Sequence, residues 1–227
     1  MPAPCPCSPP VPARPTARGD PINRTLGERP RTRPADDLKP AWLDESFHEH
    51  DSAGFYILAA AVIEPAVADG VRETMRRMKG GRATDKAHWT EMDHRERLAA
   101  ARLVADQTGL HIVSVGSPVP KRRQERARSK CLMALIMELH GFGVNQLYLE
   151  AREEALNKRD IATVVAARQA LPKGTRFRAD HIPGPTEPLL WVSDIVAGAV
   201  RAQRQGNSQY RDVLGEVLLD FDVPTGC

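Results

Sequence analysis

The sequence predicts an α/β domain in which a mixed sheet is flanked by helices, and three observations carry this prediction. Residues 54–63 form an almost continuous apolar run of strand length, and a polar turn separates it from a short preceding strand that ends at Asp44. Further along, strand-like apolar segments alternate with helical ones, which is typical of a sheet covered by helices. No glycine-rich phosphate loop follows a predicted strand, which argues against Rossmann and P-loop folds.

Turn residues, prolines and glycines mark the boundaries of the predicted elements. A polar turn at 45–53 separates the first two strands and predicts a hairpin. Pro65 and Pro188 begin helices, whereas Gly80, Gly81 and Gly141 end them. The predicted strands are 41–44, 54–63, 110–115, 144–150 and a polar edge strand at 176–181. The predicted helices are 65–78, 93–107, 124–140, 160–170, 189–203 and an amphipathic C-terminal segment at 210–219.

The 227 residues divide into a leader and one domain. Residues 1–40 are rich in proline and arginine and almost lack bulky apolar side chains, so they cannot bury enough surface to offset the entropy of ordering. We expect a disordered leader, whose arginines either contact nucleic acid or are simply solvated. The folded domain is expected to span residues 41–227.

Composition limits the function classes. The net charge is only +3, so an argument for nucleic-acid binding depends on where the basic residues lie. The four cysteines have no zinc-finger spacing and indicate unpaired thiols in a reducing compartment. No apolar run reaches membrane-spanning length and no secretory signal is evident, so we expect a cytoplasmic protein without membrane contact.

Three acidic residues are the leading candidates for chemistry. Asp194 is the sharpest, because Ser193 and Asp194 are the only polar residues between Leu189 and Val200. A helix that is apolar nearly all round is buried, and a buried carboxylate is costly unless it is paired, hydrogen-bonded or bound to metal. Backbone N–H groups or an arginine would satisfy it equally well. Asp44 and Glu150 end apolar segments and are, taken singly, commonly turn residues.

These residues lie in blocks that resemble a known family. The segments Ala41-Trp-Leu-Asp-Glu-Ser46, Phe55 to Ile63 and Pro188 to Gly198 look like the conserved blocks of the domain of unknown function 3800, as an actinobacterial-type member. The resemblance covers roughly residues 41–215. It implies an RNase H-like fold, and departs from the family pattern at Phe47, where glycine is common.

The resemblance implies roles for the three acids. RNase H-like nucleases carry one acid on the first strand, one at the end of the fourth and one on a later helix, which match Asp44, Glu150 and Asp194. These residues would hold Mg2+ or Mn2+ for hydrolysis of phosphodiester bonds in nucleic acid, with water as the nucleophile. Glu150 stands where Asp is commoner, so an inactive nucleic-acid- or protein-binding module is the alternative. A small-molecule metallohydrolase is a third interpretation.

Secondary candidates surround this set. Glu45 neighbours Asp44, but adjacent strand residues point to opposite faces, so the two are not expected to share one ion. His88 and Glu91 are candidates for a proton shuttle or an extra ligand, or they simply belong to a loop packed by Trp89. The remaining candidates are Arg152, expected on the same side as Glu150, and Asp160, which is either a site residue or a helix cap.

Two basic runs are candidates for phosphate contact. The segment 121–130 carries six cations against one glutamate, and its first part supplies the predicted nucleic-acid contacts Lys121, Arg122, Arg123 and Arg126. The second run is Arg76, Arg77, Lys79 and Arg82. A solvated helix face explains either run equally well. Aromatic residues make up only 5% of the chain, which gives little support to a base-stacking platform.

Overall fold

A computed structural model describes residues 38–50, 54–81 and 83–226. The strands are β1 (Pro40–His48), β2 (Phe55–Val62), β3 (Leu110–Ser117), β4 (Gln146–Glu150), β5 (Arg178–Ile182) and β6 (Leu218–Pro224). The helices are α1 (Pro65–Lys79), α2 (His94–Ala105), α3 (Gln124–Gly141), α4 (Glu154–Ala170), α5 (Pro188–Arg204) and α6 (Gln209–Leu214). The predicted leader lies almost wholly outside the described residues, so its disorder stays a prediction.

The six strands form one mixed sheet in the order β5-β4-β1-β2-β3-β6. The chain first makes the antiparallel meander β1-β2-β3 and then adds β4 and β5 parallel to β1 on its other side. Strand β6 pairs with β3 in parallel at the far edge. This arrangement confirms the predicted class, a mixed α/β sheet flanked by helices.

Helices cover both faces of the sheet. Helices α1, α2, α5 and α6 pack on the face that carries Trp42, Ile57 and Val113. Helices α3 and α4 pack on the opposite face, which carries Leu43 and Leu58. Because side chains alternate along a strand, Asp44 faces the α5 layer and Glu45 faces the α3–α4 layer. None of the helices in the described parts of the chain is both long and apolar enough to cross a membrane.

The first strand is longer than its sequence suggests. It continues through residues 45–48, which pair with Leu58 to Phe55 of β2. The polar residues that resemble a turn are tolerated because the burial of β1 falls from complete to partial after Asp44. Asp44 therefore lies in the middle of β1, and the prediction that it ends the strand was wrong.

Two further boundaries differ from prediction. Helix α4 begins at Glu154, six residues before Asp160, so that residue lies inside the helix. The C-terminal segment was predicted as one helix, but only Gln209–Leu214 is helical and residues 218–224 form β6. Gly215 adopts φ +50, which favours glycine and breaks the helix before the strand begins.

Candidate functional site

Strands β1 and β4 bring two of the predicted acids together. They run parallel, with Leu43 paired to Leu149, so the next residues, Asp44 and Glu150, are also neighbours. Asp44 is only 6% exposed, and one of its oxygens, Oδ1, accepts a hydrogen bond of 2.7 Å from the backbone N–H of Glu45. The hydrogen bond holds the carboxylate close to its own strand.

Helix α5 supplies the third acid, Asp194. The hydroxyl of Ser193 donates to the carbonyl of Trp42 at 2.7 Å, which ties the helix to β1. One oxygen of Asp194, Oδ2, accepts a 2.7 Å hydrogen bond from the backbone N–H of Trp89. A backbone N–H therefore satisfies part of this carboxylate, as the sequence allowed, and the structure also places it beside Asp44 and Glu150.

A lysine that no sequence pattern singled out, Lys86, completes the group. Its ammonium nitrogen lies 2.5 and 2.6 Å from the two oxygens of Glu150 and 3.9 Å from Oδ2 of Asp44. Burial opposes the positive charge, but the carboxylates of Asp44, Glu150 and Asp194 outweigh it and raise the pKa of Lys86. We call these four residues the carboxylate cluster.

The carboxylate cluster carries more negative than positive charge, with three carboxylates against one ammonium. Burial, followed by repulsion from Asp194 and Glu150, raises the pKa of Asp44 well above its usual range. Burial likewise raises the pKa of Asp194, although the N–H of Trp89 works against this shift. The ionised forms of Asp44 and Asp194 are therefore disfavoured, and either protonation or a bound cation would stabilise the two side chains.

Two glycines permit the close packing around these acids. A Cβ atom on Gly184 would overlap the carboxylate of Glu150, and one on Gly198 would overlap the ring of Trp89. Gly198 lies one helical turn after Asp194, so the absent side chain lets Trp89 lie against this part of α5. The backbone N–H of Trp89 reaches Asp194 from that position.

The secondary candidates His88 and Glu91 lie beside the carboxylate cluster. Together with Lys86 and Glu150 they line a cavity of about 460 Å3. Burial raises the pKa of Asp194, and His88 opposes this rise together with the larger effects of the Trp89 N–H and Lys86. Their roles as proton shuttle or extra ligand stay predictions, and the structure brings both next to the leading acids.

The other secondary candidates form a separate ion-pair network on the opposite face of the sheet. Arg128 of α3 is 1% exposed and makes two 2.8 Å hydrogen bonds to the carboxylate of Asp160. Glu45 also pairs with Arg128, which agrees with the expectation that it points away from Asp44. Asp160 lies within α4, so its interpretation as a helix cap was wrong.

Arg152 belongs to this network as well. It binds Glu125 at 2.8 Å and Asp160 at 3.0 Å. The expectation that it shares a side with Glu150 was wrong, because β4 ends at Glu150 and strand alternation does not extend beyond it. The hydrogen bonds of His181 and Arg128 lower the pKa of Asp160, although burial acts in the other direction.

The first basic run lies at the end of β3 and the beginning of α3. The residues at 121, 122, 123 and 126 are exposed, and Arg126 donates to the carbonyl of Gly226 at 2.9 Å. Strands β1 and β3 run in the same direction, so their C-terminal ends lie at the same end of the sheet. The first basic run therefore lies at the same end of the sheet as the polar residues of β1. Arg76 and Arg77 of the second run pair with Glu73 on α1, and Arg82 lies outside the described residues.

The donor atoms and the charge of the carboxylate cluster suit a hard divalent cation. Its donors are carboxylate oxygens, which Mg2+ and Mn2+ prefer, and its charge excess of two equals the charge of one such ion. Within residues 38–50, 54–81 and 83–226, no group of three His, Cys, Asp or Glu side chains is already arranged as a metal site. Lys86 takes the place next to Glu150 that a cation would need.

No family model matches this chain, and no curated protein matches it. A chain in the PCNA:RNase HII complex from Archaeoglobus fulgidus is 15% identical, with a TM-score of 0.49, covering 74% of this chain and 73% of that one. A mutant of Bst-RNase HIII is 12% identical, with a TM-score of 0.45 and coverage of 75% and 56%. RNase H1 from Halobacterium salinarum is 10% identical, with a TM-score of 0.36 and coverage of 70% and 96%.

Proposed function

We propose that this chain is a Mg2+- or Mn2+-dependent nuclease of the RNase H-like type, which hydrolyses phosphodiester bonds in nucleic acid. It would then be a member of the domain of unknown function 3800, as its sequence blocks suggest. The observation that carries the proposal is the meeting of Asp44, Glu150 and Asp194 at one place on the sheet with an excess of negative charge.

Each residue of the site has its own part in this chemistry. Asp44, Glu150 and Asp194 would hold the metal, which supplies Lewis-acid stabilisation of the phosphoryl oxygens when it is bound. The backbone N–H groups of Glu45 and Trp89 orient two of the carboxylates and leave one oxygen of each for a cation. His88, at the rim of the cavity, is positioned to exchange a proton with the leaving or attacking oxygen.

Lys86 has a defined part in this proposal. Before a cation binds, its ammonium group balances Glu150 and Asp44 and keeps the acids together. If Asp44, Glu150 and Asp194 held a cation, Lys86 would have to move away from Glu150, and its ammonium group would then be free to donate to a phosphate oxygen. The exchange would replace one positive charge by two and would leave the three carboxylates with one unbalanced negative charge instead of two.

The test is a cleavage assay with labelled RNA, DNA and RNA–DNA hybrid in Mg2+ or Mn2+, repeated with chelator. Asp44→Asn, Glu150→Gln and Asp194→Asn should each lower the rate by about a hundredfold or more, equal to ~2.7 kcal/mol of transition-state stabilisation. Glu138→Gln, an exposed charge loss on α3, is the control and should leave the rate unchanged. Cleavage in the presence of chelator, or full activity of Asp44→Asn, would contradict the proposal.

A second candidate is a non-catalytic module that binds nucleic acid or protein. The observation in its favour is that Lys86 already satisfies both oxygens of Glu150. In that case the four residues are a buried ion cluster with a structural role. Salt-sensitive nucleic-acid binding that survives substitution of all three acids, with no cleavage by the wild type, would favour this candidate.

A further inference from the structure

A second polar pocket lies beside the carboxylate cluster, and the proposed chemistry does not use it. It has a volume of about 220 Å3 and is lined by Trp89, Thr90, Arg97, Gly198, Arg201, Ala202 and Gln205. A water molecule takes about 30 Å3 in the liquid, so the pocket has room for a phosphate group with bridging waters. We call it the arginine pocket.

The two arginines that line this pocket have hydrogen-bond donors to spare. Arg97 donates through Nε to the carbonyl of Trp89 at 3.1 Å, and its guanidinium lies 5.3 Å from the centre of the Trp89 ring. Among residues 38–50, 54–81 and 83–226, Arg201 makes a single hydrogen bond, of 3.5 Å, to the hydroxyl of Ser46. Neither arginine forms an ion pair with any acid in the described part of the chain. Half-buried guanidinium groups without a carboxylate partner are typical of sites that receive an anion.

The arginine pocket is connected to the carboxylate cluster along two elements. On α5, Arg201 follows Asp194 by seven residues, which is about 10 Å of helix. On β1, Ser46 follows Asp44 by two residues, which is about 6.6 Å on the same face of the sheet. Trp89 links the two sites directly, because its backbone N–H binds Asp194 while its ring lines the pocket.

We propose that the arginine pocket binds a backbone phosphate of a nucleic-acid strand, and that a phosphodiester a few nucleotides further along the same strand lies at the carboxylate cluster. This inference rests on the proposed function for the place where the strand is cleaved. A stacked strand advances about 3.4 Å for each nucleotide, so a separation of about 10 Å corresponds to two or three nucleotides. The pocket would fix the register of the strand relative to the acids.

The lining of the pocket favours the backbone over the bases. Trp89 is only 5% exposed and already faces Arg97, so its ring is not open for stacking on a base. Thr90 and Gln205 are exposed at the rim and supply neutral hydrogen-bond donors. Two guanidinium groups with neutral donors recognise a phosphate by charge and shape without reading sequence.

The test measures binding in chelator, so that it does not depend on cleavage. Short fluorescein-labelled single-stranded RNA and DNA are titrated with wild type, Arg201→Gln, Arg97→Gln and the control Arg95→Gln, over a range of salt concentrations. Arg95 lies on α2 with Arg97 but is exposed and outside the pocket. Arg201→Gln leaves the contacts of Trp89 intact, so it remains informative if Arg97→Gln alters the fold, which circular dichroism and thermal unfolding check.

We expect each pocket variant to weaken binding about tenfold and to reduce the salt slope by about one phosphate, whereas Arg95→Gln changes binding much less. Equal binding by all three variants would overturn the inference.

Inorganic phosphate is titrated as a competitor in a separate experiment. If phosphate binds the wild type but neither pocket variant affects the oligonucleotide, the pocket takes a free phosphate ligand and the nucleic-acid inference is overturned. If binding depends on the pocket but no cleavage occurs in Mg2+ or Mn2+, the inference about the pocket stands and the proposed nuclease function is contradicted.

Discussion

The ammonium nitrogen of Lys86 lies 2.5 Å from Oε1 of Glu150, inside a group that also contains two aspartates. The carboxylate of Glu150 is largely buried, and a metal ion could bind it only by displacing the ammonium group of Lys86. The same contact stabilises the acids when no ion is bound. Lys86 and a divalent cation are therefore expected to compete for Glu150, and the competition can be measured without any substrate.

Substitution of Lys86 by methionine should tighten the binding of Mn2+. The change removes the competing ammonium group from the three carboxylates, so we expect a gain in affinity of about tenfold, equal to ~1.4 kcal/mol. Isothermal titration calorimetry gives the affinity. Lys86→Arg keeps the positive charge and is the matched control, expected to show no gain. Equal affinities for the wild type and Lys86→Met would mean that the lysine does not occupy the ion's place.

Gly198→Ala should disturb the carboxylate cluster through Trp89. A Cβ atom at this position would overlap the indole ring, which cannot move without shifting the backbone N–H that binds Asp194. We expect a loss of about 1–3 kcal/mol in the free energy of unfolding, as for other overpacked sites. Urea denaturation measures the loss, and Mn2+ affinity reports on Asp194.

Gly70→Ala is the matched control for this substitution. Gly70 also lies within a helix, α1, but nothing lies within 4 Å of a Cβ atom placed there. Alanine at an open helical position stabilises by about 0.5–1 kcal/mol. A Gly198→Ala protein as stable as the wild type would show that Trp89 can be displaced at no cost.

The sequence was sufficient to predict the elements that place the three acids. The apolar character of residues 54–63 and 189–200 dominates local preference, so β2 and α5 were predicted with nearly correct bounds. The extension of β1 was missed because residues 45–48 are mainly polar. They pair with β2 on one side, whereas the pairing of β1 with β4 on the other side ends at Leu43. A partner strand decides such a segment, and local composition does not show it.

The residues that surround the three acids could not be predicted from local sequence patterns. Lys86 lies in a polar loop, where a lysine is ordinarily solvated, and only the tertiary fold brings it to Glu150. Arg152 was assigned to the wrong side because a periodic argument was extended past the end of β4. The alternation argument was correct for Glu45, where the strand continues and the period of two holds.

The buried pair of Arg128 and Asp160 should be a major stabilising contact between α3 and α4. Asp160→Asn removes the charge partner of an arginine that is 1% exposed, which leaves a buried cation less well compensated. Breaking such a pair by removing one partner costs about 3–5 kcal/mol. Urea denaturation at neutral pH measures the change in the free energy of unfolding.

The control for this prediction is an ion pair on the surface of the same helix. Lys158 and Glu154 pair at 2.6 Å, but both side chains are largely exposed. Lys158→Ala should change the free energy of unfolding by less than about 0.5 kcal/mol. Similar losses for Asp160→Asn and Lys158→Ala would contradict the structural role of the buried network.

His111 should make the protein less stable as the pH falls below neutral. It is 1% exposed on β3, both ring nitrogens lack a hydrogen-bond partner among the described residues, and burial lowers its pKa from 6.5 to about 4. Between these two pH values the unfolded chain binds a proton that the folded chain excludes. Stability is therefore retained above pH 6.5 and is lost as the pH falls toward 4, by at most about 1.4 kcal/mol per pH unit.

Comparison of the wild type with His111→Leu isolates this contribution from that of the carboxyl groups. The leucine variant lacks the titrating ring and should lose less stability between pH 6.5 and pH 4, while at pH 7 it should be at least as stable, because two unsatisfied polar atoms are removed. Urea denaturation at several pH values gives both curves. Parallel curves for the two proteins over this range would show that His111 takes up a proton as easily in the folded chain as in the unfolded one.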